Sequence, residues 1–214
     1  IQIKVKYICQ CYNFFIYSNI LIYGDNMVRN NLVKVDIFDN QLETISKIDA
    51  HKAPILHRAF SVFLFNDKNE ILIQKRALNK YHSGGLWANA CCSHPQKDED
   101  VIVSAQNRLI EELGITTDLK ELFTFTYMHK FNNKLYEYEL DHVLLGKYNG
   151  EIKLDPNEAS ECKWITIDEL NNQLTTSPQI FASWFIICAP KIAYYIKQNI
   201  STKNSKATKF KKED

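Results

Sequence analysis

Apolar and polar positions alternate in a clear order of elements between Leu56 and Lys197. Ala59–Asn66 and Glu70–Lys75 are β-rich apolar runs on either side of Asp67-Lys68-Asn69, which predicts a hairpin. A loop carrying Gly84-Gly85 follows. Asp98–Leu113 has apolar residues at helical spacing and stops at Gly114, a residue suited to the left-handed turn that ends a helix. Leu122–Phe131 and Leu135–Lys147 flank Asn132-Asn133 and predict a second hairpin. Cys162–Ile165 reads as a short strand and Ile167–Leu174 as a short helix. Ser177-Pro178 reads as the opening of a longer helix that Pro190 would kink or divide. Strands, one helix, more strands and then helices make a mixed α+β domain.

The ends carry less pattern. Residues 7–24 are rich in Ile, Tyr and Phe but interrupted by Gln10, Asn13, Ser18 and Asn19, so no apolar run of membrane-spanning length forms. We expect residues 1–30 to be a leader, disordered or non-native, with a start at Met27 inside that stretch. Few Arg and Ser residues and no small-residue cleavage site weaken a targeting role for residues 1–26. Residues 31–198 are expected to form the domain, and 199–214, with five lysines, a solvated basic tail.

Composition narrows the class. The 214 residues suit one domain with a real core, and 45% hydrophobic content argues against general disorder. A net charge of +1 argues against a nucleic-acid partner held by counterion release. Six cysteines without a C-x-x-C pair make neither a disulfide scaffold nor a four-thiolate zinc site. The adjacent Cys91 and Cys92 suit free thiols and a reducing, cytoplasmic compartment; an organellar one is the alternative if residues 1–26 do target the chain.

The densest chemistry lies in Trp87–Gln96, where Cys92 stands two residues from His94. A lone Cys is more often a small buried apolar residue, but a thiol beside an imidazole and ahead of a helix can be reactive. On the predicted strand Leu135–Lys147, Glu137, Glu139 and Asp141 share one face, with Tyr136, Tyr138 and Leu140 on the other. Together with His51, His57 and His94, the two glutamates can form a site for Mn²⁺, Mg²⁺ or Zn²⁺. Glu99, Leu109, Glu111, Glu112, Gly114 and Ile115 fit the Nudix box G-x5-E-x7-R-E-U-x-E-E-x-G-U, where U is aliphatic. Ser93 replaces its first Gly, and Asn107-Arg108 replaces Arg-Glu. Arg108 and Glu112 are one turn apart, either a surface ion pair or a guanidinium aimed at phosphate.

From about Asn31 to Ile192 the chain resembles the type I isopentenyl-diphosphate Δ-isomerases, enzymes of Nudix fold. The resemblance rests on His57–Ser61, Lys75–Leu78, Asn89–Gln96, Glu111–Gly114, Tyr136–Leu140 and Ser183-Trp184, in that order. It implies a Nudix-like mixed sheet flanked by helices and the interconversion of isopentenyl and dimethylallyl diphosphate. By resemblance, Cys92 is the catalytic thiol and Glu139 the catalytic carboxylate, which also binds metal. By the same resemblance, Tyr127 matches a Tyr that hydrogen-bonds that carboxylate, and Trp184 an indole that lines the pocket and can stabilise the cation. Lys47, Arg76, Lys80 and Arg108 match phosphate-binding positions. Glu112 and the Cys92 carbonyl would hold a Mg²⁺ arriving with the diphosphate; His51, His57, His94, Glu137 and Glu139 would hold a second divalent ion. The partner implied is a small isoprenoid diphosphate, with no nucleic acid and no membrane, bound by a monomer or a dimer.

Overall fold

The computed structural model describes residues 30–131 and 134–210, of which 200–210 are described by backbone alone. The expected leader except its last residue, the Asn132-Asn133 turn and residues 211–214 lie outside it. Nine strands and four helices follow in chain order among the described residues. They are β1 (Asn31–Val35), β2 (Gln41–Ser46), α1 (Lys47–Lys52), β3 (His57–Phe65), β4 (Ile71–Arg76), β5 (Trp87–Ala88) and β6 (Cys91–Ser93). Then come α2 (Val101–Leu113), β7 (Leu119–Lys130), β8 (Tyr136–Lys147), β9 (Ala159–Ile165), α3 (Ile167–Thr176), a 3-10 turn (Pro178–Ile180) and α4 (Ser183–Phe210). The expected mixed sheet flanked by helices is the observed architecture.

The centre of the sheet is β3. One edge pairs in parallel with β8 along its whole length, from His57 opposite Glu139 to Phe65 opposite Lys147. Its other edge is shared by β1 at Lys34↔His57, β6 at Phe60↔Ser93 through Val62↔Cys91, and β4 at Phe65↔Ile71. The first expected hairpin is therefore paired only at its base. Beyond Ile71 the two strands part, β6 lies beside β3, and β4 pairs instead with β5 and β9. The β7–β8 hairpin pairs from Leu119↔Gly146 to Lys130↔Tyr136, as the alternation predicted.

Alternation along β3 separates two cores. Phe60, Val62 and Leu64 pack with Leu109 and Leu113 of α2, whereas Phe63 packs with Phe185 of α4. Helix α2 starts at Val101, three residues later than the apolar pattern suggested, because the Asp100 carboxylate accepts from the Ile102 and Val103 amides and caps it there. Gly114, at φ 64°, closes it in the left-handed region.

The last helix departs most from expectation. The chain after Ser177 makes only the 3-10 turn, because Phe181 bridges Trp87 and the Ala182 amide donates to the Trp87 carbonyl, holding this stretch extended on β5. The helix then begins at Ser183 and runs unbroken through Pro190. Pro190 lies on the exposed side, and burial of Phe185, Cys188, Ala189, Ile192, Ala193 and Ile196 outweighs the single hydrogen bond it removes. The backbone of α4 extends to Phe210, into the segment expected as a tail.

Candidate active site

The parallel register of β3 and β8 assembles one end of the sheet into a cluster of imidazoles and carboxylates. It places His57 opposite Glu139, while β8 alternation turns Glu137, Glu139 and Asp141 to the α4 side. Helix α1, capped by the Ser46 hydroxyl, delivers Lys47 and His51, and the residue after β6 is His94. His51 Nδ1 lies 2.6 Å from the Lys47 carbonyl and His57 Nδ1 2.8 Å from that of Ile55. A ring nitrogen facing a carbonyl carries the proton, so each ring keeps its Nε2 lone pair for another partner. His57 Nε2 is buried with no hydrogen-bond partner, 3.6 Å from Glu139 Oε1. His94 Nε2 lies 3.0 Å from the same oxygen.

These groups fit a divalent ion. One donor atom each from His51, His57 and Glu139 falls within 4.8 Å of the others. Burial pushes His51 down to about 4 and His94 to about 3, so both are neutral, ligand-ready imidazoles near pH 7. The Tyr127 hydroxyl lies 2.7 Å from Glu139 Oε2 and 3.1 Å from Glu137 Oε2, spanning both carboxylates. Burial acts to raise the two glutamates. It prevails at Glu137, with the Glu139 charge adding to it; at Glu139, the neighbouring His57 and His94 imidazoles overcome it and hold the carboxyl well below its ordinary range.

In front of this cluster opens a cavity of about 540 Å³. Cys92, His94, Glu137 and Glu139 form part of its wall, with Lys47, Arg76, Lys80, Arg108 and Trp184. Cys92 does not sit at a helix N-terminus, as the sequence suggested. It lies mid-strand in β6, opposite Ser61, so no helix dipole lowers its pKa. Burial instead pushes the thiol up to about 12, and the sulfur is a protonated S–H with Arg76 Nη1 at 3.7 Å. The Arg76 guanidinium also rests over the Trp184 ring at 5.3 Å, and the indole N–H donates to Asn89 Oδ1 at 3.0 Å.

The cations at the mouth are held by acids. Lys80 Nζ lies 2.5 Å from Glu158 Oε2, and Arg108 reaches Glu111, Glu112 and Glu158 at 2.5, 2.6 and 3.2 Å. Glu112 is buried behind Arg108 rather than on the cavity wall, and the Cys91 thiol points to its Oε1 at 3.4 Å. Cys91 and Cys92 thus face opposite sides of the sheet, one toward α2 and one into the cavity.

The structure brings the candidate residues other than Glu112 together at one end of the sheet, beside several neighbours that the sequence did not single out. His82 and Tyr81 lie in the loop read only through its glycines; His82 Nε2 stands 3.1 Å from Glu137 Oε1, and the Tyr81 hydroxyl 2.9 Å from His51 Nε2. Ser61 donates to buried Asp141 at 2.8 Å and lines the cavity. Glu158, which bridges Lys80 and Arg108, gave no local signal.

The chain is similar to known proteins. Residues 55–185 match the NUDIX domain family. The chain is 39% identical over 165 residues to isopentenyl-diphosphate Delta-isomerase 2 of Aromatoleum aromaticum, covering 77% of this chain and 87% of that protein. It is 42% identical over 154 residues to isopentenyl-diphosphate Delta-isomerase 2 of Photorhabdus laumondii, covering 72% of this chain and 87% of that one. Among solved structures, a Deinococcus radiodurans protein superposes with a TM-score of 0.58 at 18% identity, over 69% of this chain and 90% of its own. A MutT protein from Methanosarcina mazei superposes at 0.52 and 16% identity, over 67% and 94%; both likenesses concern the fold.

Proposed function

The chain belongs to the Nudix-fold isopentenyl-diphosphate Δ-isomerase family, and from that premise we propose that the cavity interconverts isopentenyl and dimethylallyl diphosphate by an acid–base pair made of Cys92 and Glu139. The observation that carries this reading is the placement of Cys92 and Glu139 on one cavity wall, where burial pushes the thiol up to about 12 and the neighbouring imidazoles hold the carboxyl well below its ordinary range. Moving the double bond by one carbon requires a proton given to the terminal alkene carbon and a proton taken from the carbon on the other side of the tertiary centre. The Cys92 S–H gives the first, and a Glu139 carboxylate oxygen takes the second. Arg76, beside the sulfur, stabilises the thiolate left behind. Tyr127 orients the Glu139 carboxylate from behind, and the Trp184 face offers about 0.5–2 kcal/mol to a developing cation once Arg76 turns to phosphate.

The diphosphate is bound by Lys47, Arg76, Lys80 and Arg108, with Glu158 holding Lys80 and Arg108 in place until the anion replaces it. Glu112, once Arg108 turns from it to the diphosphate, and the Cys92 carbonyl would hold the Mg²⁺ that accompanies the substrate, and His51, His57, His94, Glu137 and Glu139 would hold a Mn²⁺, Mg²⁺ or Zn²⁺ ion. When bound, that second ion supplies a positive charge that fixes the Glu139 carboxylate and tunes its proton affinity. Four free thiols among the described residues suit a reducing, cytoplasmic location; no described helix is long and apolar enough to cross a membrane.

The test is incubation with isopentenyl diphosphate and Mg²⁺, reading the acid-labile allylic diphosphate. Its formation is expected. Release of inorganic phosphate from nucleoside diphosphate derivatives without allylic product would assign the chain to hydrolysis instead.

A further inference from the structure

The metal-binding set drawn from family resemblance has three imidazoles and two carboxylates, and a fourth imidazole stands within reach of it. His82 Nε2 lies 3.1 Å from Glu137 Oε1, and one donor atom each from His51, His82 and Glu137 falls within 4.8 Å of the others. We propose that His82 is a further metal ligand of this chain, paired with Glu137 as His94 is paired with Glu139; this rests on the reading of the His/Glu group as a metal centre.

The distances suit coordination. Two ligands at right angles on an ion with bonds of about 2.1 Å lie about 3.0 Å apart. His82–Glu137 at 3.1 Å and His94–Glu139 at 3.0 Å both match that edge. Each carboxylate thus has its own imidazole, and His51 lies in reach of both pairs, with ring centroids 6.0 Å from His82 and 6.3 Å from His94.

The same separation also suits a plain N–H···O hydrogen bond, so the surroundings of the ring decide between the two. The His82 side chain is nine-tenths buried. It stacks on Phe131 at 4.6 Å and takes the Tyr81 ring edge-on at 4.2 Å, which fixes its plane. The loop behind it packs closely on itself: a Cβ on Gly84 would meet the Leu78 carbonyl oxygen at 2.7 Å. His82 Nδ1 lies 3.3 Å from Ser83 Oγ. A hydroxyl accepts as readily as it donates. With Nδ1–H donating to Ser83, the Nε2 lone pair points at the Glu137 carboxylate, an arrangement that repels without a cation between them and is the one a ligand needs. A change of tautomer, the proton moving from Nε2 to Nδ1 while the Ser83 hydroxyl turns from donor to acceptor, lets the ring serve the apo protein as a donor and the loaded protein as a ligand.

A fourth nitrogen has a chemical consequence. Nitrogen donors favour borderline ions such as Zn²⁺, Co²⁺ and Mn²⁺ over Mg²⁺, which prefers oxygen. This chain is therefore expected to discriminate more strongly against Mg²⁺ at this position than a centre with three imidazoles.

The experiment titrates chelator-stripped full-length protein with Co²⁺, and separately with Mg²⁺, reading the visible d–d spectrum and the affinity. His82→Phe keeps an aromatic ring on Phe131 and Tyr81, and His82→Asn is the second variant should the first misfold by circular dichroism. The expected result is Co²⁺ affinity lowered about 10- to 100-fold, a changed spectrum at saturation and Mg²⁺ affinity altered far less. Weaker binding with an unchanged saturated spectrum would make His82 an orienting hydrogen-bond donor and overturn the proposal, as would unchanged affinity. His57→Ala is the control: if it keeps wild-type Co²⁺ binding, the metal centre itself is wrong, whereas loss there beside an unchanged His82→Phe removes His82 alone.

Discussion

The two faces of the sheet follow the same alternation and reach opposite ends. On the α2 face, Phe60, Val62 and Leu64 of β3 meet Leu72, Leu144, Leu109 and Leu113 in an apolar core. On the α4 face, the paired positions change character along the strands. Phe63 and Leu145 lie at the apolar end, and His57 and Glu139 at the polar end, with Ser61 and Val143 between them. The core end is stabilised by what it excludes from water. The polar end keeps buried acids and imidazoles that are stable only through one another or through a ligand. The adjacent cysteines put this difference within one dipeptide: Cys91 belongs to the first face and Cys92 to the second.

The sharpest way to break the comparison is at that dipeptide. Cys92→Ala is expected to lower isomerase turnover about 10²- to 10⁴-fold, the usual range for one acid–base group, while Cys91→Ala keeps most activity. Allylic product formation measures both, and equal activities would remove Cys92 from the mechanism. Next, the paired change His57→Ala and Glu137→Ala should strip tightly bound metal from the purified protein, read by elemental analysis; about one ion per chain retained would contradict the ligand assignment.

On the other face, Leu109→Ala should cost about 2–5 kcal/mol of stability and leave kcat/KM nearly unchanged. Chemical denaturation and kinetics separate the two, and a selective loss of catalysis would mean that the faces are coupled. Arg108→Ala touches both, since its guanidinium lines the cavity and pairs with buried Glu112. Losing a charge-assisted hydrogen bond of about 1.5–3 kcal/mol should lower kcat/KM about 10- to 150-fold. Wild-type kinetics in a folded Arg108→Ala protein would leave the residue as a structural ion pair.

The smallest effect is in pH. Burial depresses His51 to about 4, His82 to about 2 and His94 to about 3 in the folded chain, against about 6.5 when unfolded. Below pH 6.5 the unfolded chain binds more protons, so these groups favour unfolding as pH falls toward 4. Chelator-treated protein should therefore melt at lower temperature at pH 5 than at pH 7, and a flat profile would mean that these rings are already charged when folded.

The elements legible in the sequence are those whose cause is local. Helix α2 carries its stop at Gly114, and the β7–β8 hairpin carries its alternation through Leu119–Gly146. The carboxylate face of β8 was legible for the same reason. What escaped depends on partners far along the chain. Strand β6 is three residues long and exists because β3 offers it an edge, so the thiol looked like a helix-terminus residue. The β3–β4 hairpin opens because β5, β6 and β9 compete for its edges. Pro190 breaks a local rule that burial of a whole helix face overrides. Resemblance supplied residue roles, but His82 enters the cluster through a loop whose position only the tertiary fold fixes.

The parallel pairing of β3 with β8 also bears on how the chain is made. During synthesis from the N-terminus, β3 emerges with Phe60, Val62, Phe63 and Leu64 long before β8 can cover its longer edge. Until Lys147 has left the ribosome, that edge is an unpaired row of amides and carbonyls flanked by apolar side chains, the kind of surface on which nascent chains associate. Variants that slow β7–β8 hairpin closure should therefore lower soluble yield in cells even where the purified protein is as stable as the parent.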